Sequence, residues 1–285
     1  MKDADIQGLA AVDMDPFKAF LVESARGDLL PWQAQLRAMK RFGLSCRQVE
    51  EGALDLKLLP ARYSRNRKAL STEEQHRLFR SAVAVVGCGG LGGYVIEELA
   101  RLGVGTIRVI DPDVFEEHNL NRQTLCTIRG LGKAKVAAAR ARVAAVNPAV
   151  LVEPVQEALS AANGADLLKG VQAVADALDS VSTRIILADL CEAMGLPLVH
   201  GAIGGWCGQI ATQMPGDRSI QNLYGACQNS EGAEKVWGNP AFTPAVMAGV
   251  QTAELCKVLL GQGTTLRKRW LFIDLKEMTF QEMAL

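Results

Sequence analysis

The apolar and polar positions of the chain fall into two patterns. Across the first sixty residues, apolar positions recur at helical spacing between polar ones. Beyond residue 80, short continuous apolar runs alternate with helical stretches. Residues 82–86 (AVAVV) and 107–110 are brief, β-branched runs suited to strands buried on both faces. Between them, residues 91–102 have Val95, Leu99 and Leu102 on one side and Glu97, Glu98 and Arg101 on the other, which predicts an amphipathic helix. Residues 134–146 predict another helix, ended by Asn147-Pro148, and strands are expected at 150–155, 171–178 and 198–201, with a helix over 182–194. Strands alternating with helices predict an α/β fold with a parallel sheet covered by helices. Residues 206–214 then suggest an antiparallel strand. Residues 216–239 show little periodicity and read as a long loop, 242–260 as an apolar helix, and 269–274 and 278–282 as two short final strands.

The beginning is different in kind. Asp15-Pro16 and Pro31 suit helix starts, Gly43 a helix end and Ser45 a cap, so residues 1–60 read as a helical appendage to a domain over 61–285. Helix, glycine turn, helix is also the outline of a nucleic-acid-binding motif, and Arg37, Lys40, Arg41 and Arg47 could meet phosphates. Glu50 and Glu51 would repel a phosphate backbone, and a hairpin packed on the main domain or a second subunit is the preferred reading. Residues 60–70 form a polar link carrying Arg62, Arg65, Arg67 and Lys68, and Ser71 to Glu74 resemble a capping box.

Chemistry enters at the turn after the first long-domain strand. Gly87, Gly89 and Gly92 space as G-x-G-x-x-G, with Gly90 and Gly93 beside them, and Asp111 closes the next strand. Glycines let the backbone approach a phosphate, the helix start offers unpaired N–H groups, and the acid is placed to accept from ribose hydroxyls. This is a nucleotide site, and the fingerprint by itself also serves NAD. Charge does not point elsewhere: Lys+Arg and Asp+Glu are both 31, which argues against nucleic acid as the main partner. No apolar run approaches about 20 residues, so no membrane span is expected. The start, MKDADIQ, lacks the pattern of a secretory signal. The seven cysteines are dispersed with no C-x-x-C, in keeping with a reducing cytoplasm.

Six motifs in order carry a resemblance over residues 62–285: RYSRN at 62–66, GCGGLGG at 87–93, DPDVFEEHNLNR at 111–122, GKAK at 132–135, DALDSVSTR at 176–184, and NPAFTPAVMAGVQTAELCKVLLG at 239–261. As a set they resemble the ThiF/MoeB/HesA family, relatives of the ubiquitin-activating enzymes. The resemblance implies a Rossmann-like, largely parallel sheet with antiparallel C-terminal strands. It implies a homodimer that uses ATP and Mg²⁺ to adenylate the Gly-Gly carboxylate of a ubiquitin-like sulfur-carrier protein. By position, Gly87, Gly89 and Gly90 would cradle ATP and Asp111 would hold its ribose. Asn119, Arg122 and Lys135 would bind phosphates, Asp179 would hold Mg²⁺, and Arg65 would reach the phosphates of the other subunit. Asp176 ranks below Asp179, as a residue that orders the turn or caps the following helix. The chemistry agrees: a carboxylate needs no general base to attack phosphorus, only alignment and charge neutralisation.

The chain departs from the family in one respect. Where many members begin a structural zinc site with C-x-x-C, this sequence has Ser219 and Asn222, and no zinc is expected. Cys227 is the only cysteine within 216–239, a candidate thiol that does not align with the family's own cysteine. Three other readings are kept: adenylation of a small molecule or modified tRNA, a non-catalytic ATP-binding regulator, and an NAD-dependent enzyme.

Overall fold

The computed structural model describes residues 15–225 and 237–285. By its contacts the chain divides into two units, Met1–His76 and Arg77–Leu285.

In the first unit, Asp15 accepts from the Phe17 N–H and opens α1 (Pro16–Ser24), and β1 (Leu29–Leu30) comes next. Helix α2 (Trp32–Phe42) ends on Gly43 in the left-handed conformation, and α3 (Cys46–Asp55) starts at a capping box in which Ser45 and Gln48 satisfy each other's backbone N–H. Leu21, Leu30, Ala34, Ala38, Val49 and Ala53 form the core of this unit. β2 (Leu59–Pro60) pairs in parallel with β1. The exposed positions of α3 include Gln48, Glu51 and Asp55, a face unsuited to a phosphate backbone. Glu50, expected outward beside Glu51, is instead fully buried because Arg62 and Tyr63 meet it there. Ser71 and Glu74 exchange hydrogen bonds at the start of α4 (Thr72–Phe79).

The second unit is built on β3 (Ala82–Val86), α5 (Gly90–Leu102), β4 (Thr106–Ile110), α6 (Lys135–Val146) and β5 (Leu151–Val155). The chain continues through α7 (Gly164–Leu167), β6 (Ala173–Asp176), α8 (Val181–Met194), β7 (Leu198–Gly204), β8 (Cys207–Gln213) and α9 (Ser219–Tyr224), then α10 (Phe242–Leu260), β9 (Arg269–Asp274) and β10 (Thr279–Ala284). Eight strands form one sheet in the order β10-β9-β8-β7-β6-β3-β4-β5. The pairs from β7 to β5 are parallel, and those from β7 outward to β10 are antiparallel. Helix α9 interrupts the stretch read as a loop. Its anchors are Ile220, buried and donating its N–H to Gln213 Oε1 (3.1 Å), and Tyr224, packed against the same core four residues on, and two anchors within six residues produce no visible period.

Strand order and register bring distant residues together at one end of the sheet. β3 has β4 on one side and β6 on the other, so successive crossovers leave it in opposite directions and a crevice opens at the carboxyl ends. Val86 pairs with both Ile110 and Asp176, and Asp176 pairs with His200, so these four residues lie in one row across the sheet. The next residue along each strand, namely Gly87, Asp111, Ala177 and Gly201, reaches the rim.

Candidate active site

Those four rim residues all line one cavity of about 380 Å³. The glycine turn forms one wall. Gly87 has φ +96°, and a side chain there would strike the Ala177 carbonyl at 2.5 Å, so this position requires glycine. Its neighbours Gly89 and Gly90 also line the cavity, and α5 begins at Gly90 with its N-terminus directed at this space.

Asp111 is held in place by two backbone donors. Cys88 N–H donates to its Oδ2 (2.7 Å) and Asp113 N–H to its Oδ1 (2.9 Å), leaving a lone pair on each oxygen. Burial pushes this carboxyl upward from its ordinary range, against the opposing pull of Lys135 and the two N–H groups. Lys135, the first residue of α6, is buried with its Nζ 2.8 Å from Asp113 Oδ2 and 3.9 Å from Asp111 Oδ1. Arg122 lines the same space, donating to Asn121 Oδ1 (3.0 Å) and His118 O (3.3 Å). Asp179 lies on the opposite lip, exposed, and its carboxylate has no ion-pair partner among the described residues.

Other expected residues are placed elsewhere. Asn119 is buried but absent from the cavity wall: its Oδ1 accepts from Glu116 N–H (2.9 Å) and closes the turn that carries Arg122. Asp176 lies beneath the cavity, and its Oδ1 accepts from Leu178 N–H (3.0 Å). Arg65 belongs to the first unit, where it is exposed. Cys227 lies outside the described residues.

Sequence reasoning did not find the polar cluster under the floor. Asp176 Oδ2 lies 2.7 Å from His200 Nδ1, and both side chains are wholly buried. The Tyr224 hydroxyl accepts from Arg184 Nη1 (2.8 Å) and Gln209 Nε2 (2.7 Å) and lies 3.1 Å from His200 Nε2. With both lone pairs taken, tyrosine gives its proton to Nε2, so the imidazole is neutral with its own proton on Nδ1, facing Asp176. Arg184 also bonds the Leu178 carbonyl, tying the loop that carries Asp179 to α8. Gln251 of α10 donates to the carbonyls of Asp176 (2.8 Å) and Val199 (2.9 Å). A histidine within an otherwise apolar strand was the available signal, since a buried polar group implies partners.

This cluster makes the fold acid-sensitive. Burial holds His200 below its ordinary 6.5, with Asp176 opposing the shift and Arg184 adding to it. Burial also acts against the Asp176 charge, but Arg184, His200 and the Leu178 N–H outweigh it and hold the carboxyl below its usual range. The unfolded chain therefore takes up a proton at His200 before the folded one does. The resulting stability is complete above pH 6.5 and lost as pH falls toward the folded value. The melting temperature should decline as pH is lowered below 6.5, and His200→Gln should flatten that slope. An unchanged slope would assign the acid sensitivity to other groups.

Known proteins share this frame. The chain is 38% identical over 224 residues to the SAMP-activating enzyme E1 of Haloferax volcanii, an alignment covering 77% of this chain and 83% of that protein. It is 35% identical over 226 residues to a sulfur carrier protein adenylyltransferase of Thermus thermophilus, covering 74% and 81%. Among solved structures, Escherichia coli MccB with ATP superposes with a TM-score of 0.66 at 20% identity, covering 88% of this chain and 82% of that one. Escherichia coli TcdA, a tRNA N6-threonylcarbamoyladenosine dehydratase solved with AMP, gives 0.60 at 23%, covering 70% and 95%. At these identities the two structures speak for the fold alone. The sequence model of the ThiF family matches residues 63–285, from the arginine-bearing turn through the glycine cradle to the last strand, and the chain belongs to the ThiF family.

Proposed function

We propose that this protein is an adenylyltransferase that joins AMP to the terminal carboxylate of a ubiquitin-like sulfur-carrier protein ending in Gly-Gly, working as a homodimer in the cytoplasm. The observation that carries this reading is the convergence of Asp111, Arg122, Lys135 and Asp179 on one cavity beside the glycine turn. Such a set of phosphate-directed charges serves adenylyl transfer and has no use in hydride transfer. The names of the two curated relatives support the substrate class.

In the proposed reaction, a carboxylate oxygen of the carrier attacks the α-phosphorus of ATP. The bond from that phosphorus to the bridging oxygen breaks, and pyrophosphate leaves with the electron pair. Asp111 accepts from the ribose hydroxyls and fixes the nucleoside. The N–H groups at the start of α5, with Lys135 and Arg122, neutralise phosphate oxygens as charge shifts toward the leaving group. To reach phosphate, Lys135 exchanges its contact with Asp113 for one with the nucleotide. Arg65 of a second copy completes the positive surround. The donor set also fits Mg²⁺, because Asp179 offers a carboxylate at the cavity with no ion-pair partner among the described residues, and this ion takes one or two carboxylates together with phosphate oxygens. When bound, Mg²⁺ would supply further neutralisation of the phosphates. Asn119 would act through its turn, keeping Arg122 in place.

ATP–pyrophosphate exchange with Mg²⁺ and a Gly-Gly-ending carrier from the same organism tests this reading. Exchange should require the carrier and disappear when its terminal carboxylate is amidated. Exchange supported equally by the amidated carrier, or by a small carboxylic acid alone, would remove the carrier protein as substrate.

A further inference from the structure

The function proposed above makes no use of residues 15–60. Several of their side chains hold the segment 61–68, which carries four basic side chains, Arg62, Arg65, Arg67 and Lys68. Two of the arginines are held from the helical unit. Arg62 places Nη1 3.1 Å from Glu50 Oε2 and donates from Nη2 to Gln35 Oε1 (2.9 Å), and its guanidinium lies over the Trp32 ring at 5.1 Å. Arg67 pairs with Asp28, whose backbone carbonyl accepts from Leu59 N–H (2.8 Å) next to the β1–β2 pairing. Tyr63, almost wholly buried, donates from its hydroxyl to Glu50 Oε1 (2.7 Å). Between these anchors the backbone forms a tight turn, with Ser64 N–H donating to Ala61 O (3.2 Å) and Asn66 N–H to Tyr63 O (2.8 Å). Arg65 stands on that turn, exposed and with no ion pair among the described residues.

Glu50 is the unexpected part. Val49 and Ala53 already supply the apolar contacts of α3, and burying a carboxylate is costly unless partners fix it. Both of its oxygens are committed to the residues just before Arg65. The geometry points to the N-terminal helical unit as a mount for Arg65. In this arrangement Glu50 and Tyr63 are positioning residues that hold the 61–68 turn so that Arg65 is presented to ATP phosphates. The inference rests on the reading of Arg65 as a phosphate-binding residue.

A double-mutant cycle on the full chain tests it, with ATP·Mg²⁺ as the ligand and calorimetry as the readout. Arg65→Ala should weaken ATP·Mg²⁺ binding by about tenfold, the loss of one charge-assisted contact. Glu50→Gln and Tyr63→Phe should each weaken it roughly three- to tenfold when Arg65 is present, and by less than about twofold in the Arg65→Ala background. A general loss of structure would act equally in both backgrounds, and that result would overturn the mount. Tyr63→Phe removes a single hydrogen bond and keeps the ring, so the cycle stands even if Glu50→Gln does not fold. Unchanged affinity in Arg65→Ala would show instead that the reading of Arg65 itself is wrong, and the mount would fall with it.

Discussion

Asp179→Ala should lower ATP–pyrophosphate exchange by roughly 1,000-fold, the size of effect seen when a preorganised electrostatic contact to the reacting group is removed. The protein should still fold, with its melting temperature within about 2 °C of wild type. Both halves of this expectation come from the geometry. Asp179 is exposed, lines the cavity, and has no ion-pair partner among the described residues, so its removal leaves no buried charge uncompensated. Asp176, three positions earlier, should behave in the opposite way. It is wholly buried against His200, so removing its carboxylate damages the fold before it reaches the chemistry. Exchange activity at wild-type level in Asp179→Ala would take Asp179 out of the mechanism. A large loss of stability would show that it has a structural partner.

Gly92→Ala should be the most disruptive single change in the glycine turn. A methyl at Gly92 would sit 1.8 Å from the Gly87 carbonyl oxygen. The obstacle is backbone, so no side-chain rotation relieves it, and β3 and α5 must separate. The expected cost is more than about 3 kcal/mol, together with loss of measurable ATP binding, because the displaced turn is the one proposed to cradle the nucleotide. Gly90→Ala is the control for folding. The nearest atom to its added methyl is Arg122 Cγ at 3.6 Å, an ordinary contact, and stability should stay within about 0.5 kcal/mol of wild type. Denaturant unfolding of the two variants side by side decides the point. Equal stability would mean that the turn relaxes more freely than its close packing implies.

Much of this was legible in residue order because the signals are local. Helix α10 and strand β9 lie where apolar spacing and turn residues place them, over 242–260 and 269–274. Ser45 and Ser71 cap the helices their neighbours announce, since a cap and its partner are three residues apart. The glycine turn and Asp111 were readable for the same reason: strand, turn, helix and acid succeed one another within thirty residues. Asn119 shows where this reasoning stops. Its position in a motif does not reveal that its side chain turns back to Glu116 instead of facing the cavity. Glu50 is a second case, because an acid beside another acid on a helix looks solvent-facing until the residues twelve and thirteen positions later fold over it.

The sequence by itself determined most of the elements, their alternation, the glycine turn and the family. Each depends on periodicity, capping or spacing over short distances, and short-range sterics and hydrogen bonding specify those directly. Tertiary structure alone decided which strand ends meet. The placement of β3 between β4 and β6 brings residues from positions 86 to 203 around one cavity. The pairing of Asp176 with His200 then puts a sealed polar cluster beneath it. Those facts depend on strand order, register and burial, and a polar residue's environment is set by whatever the chain packs over it from far along the sequence.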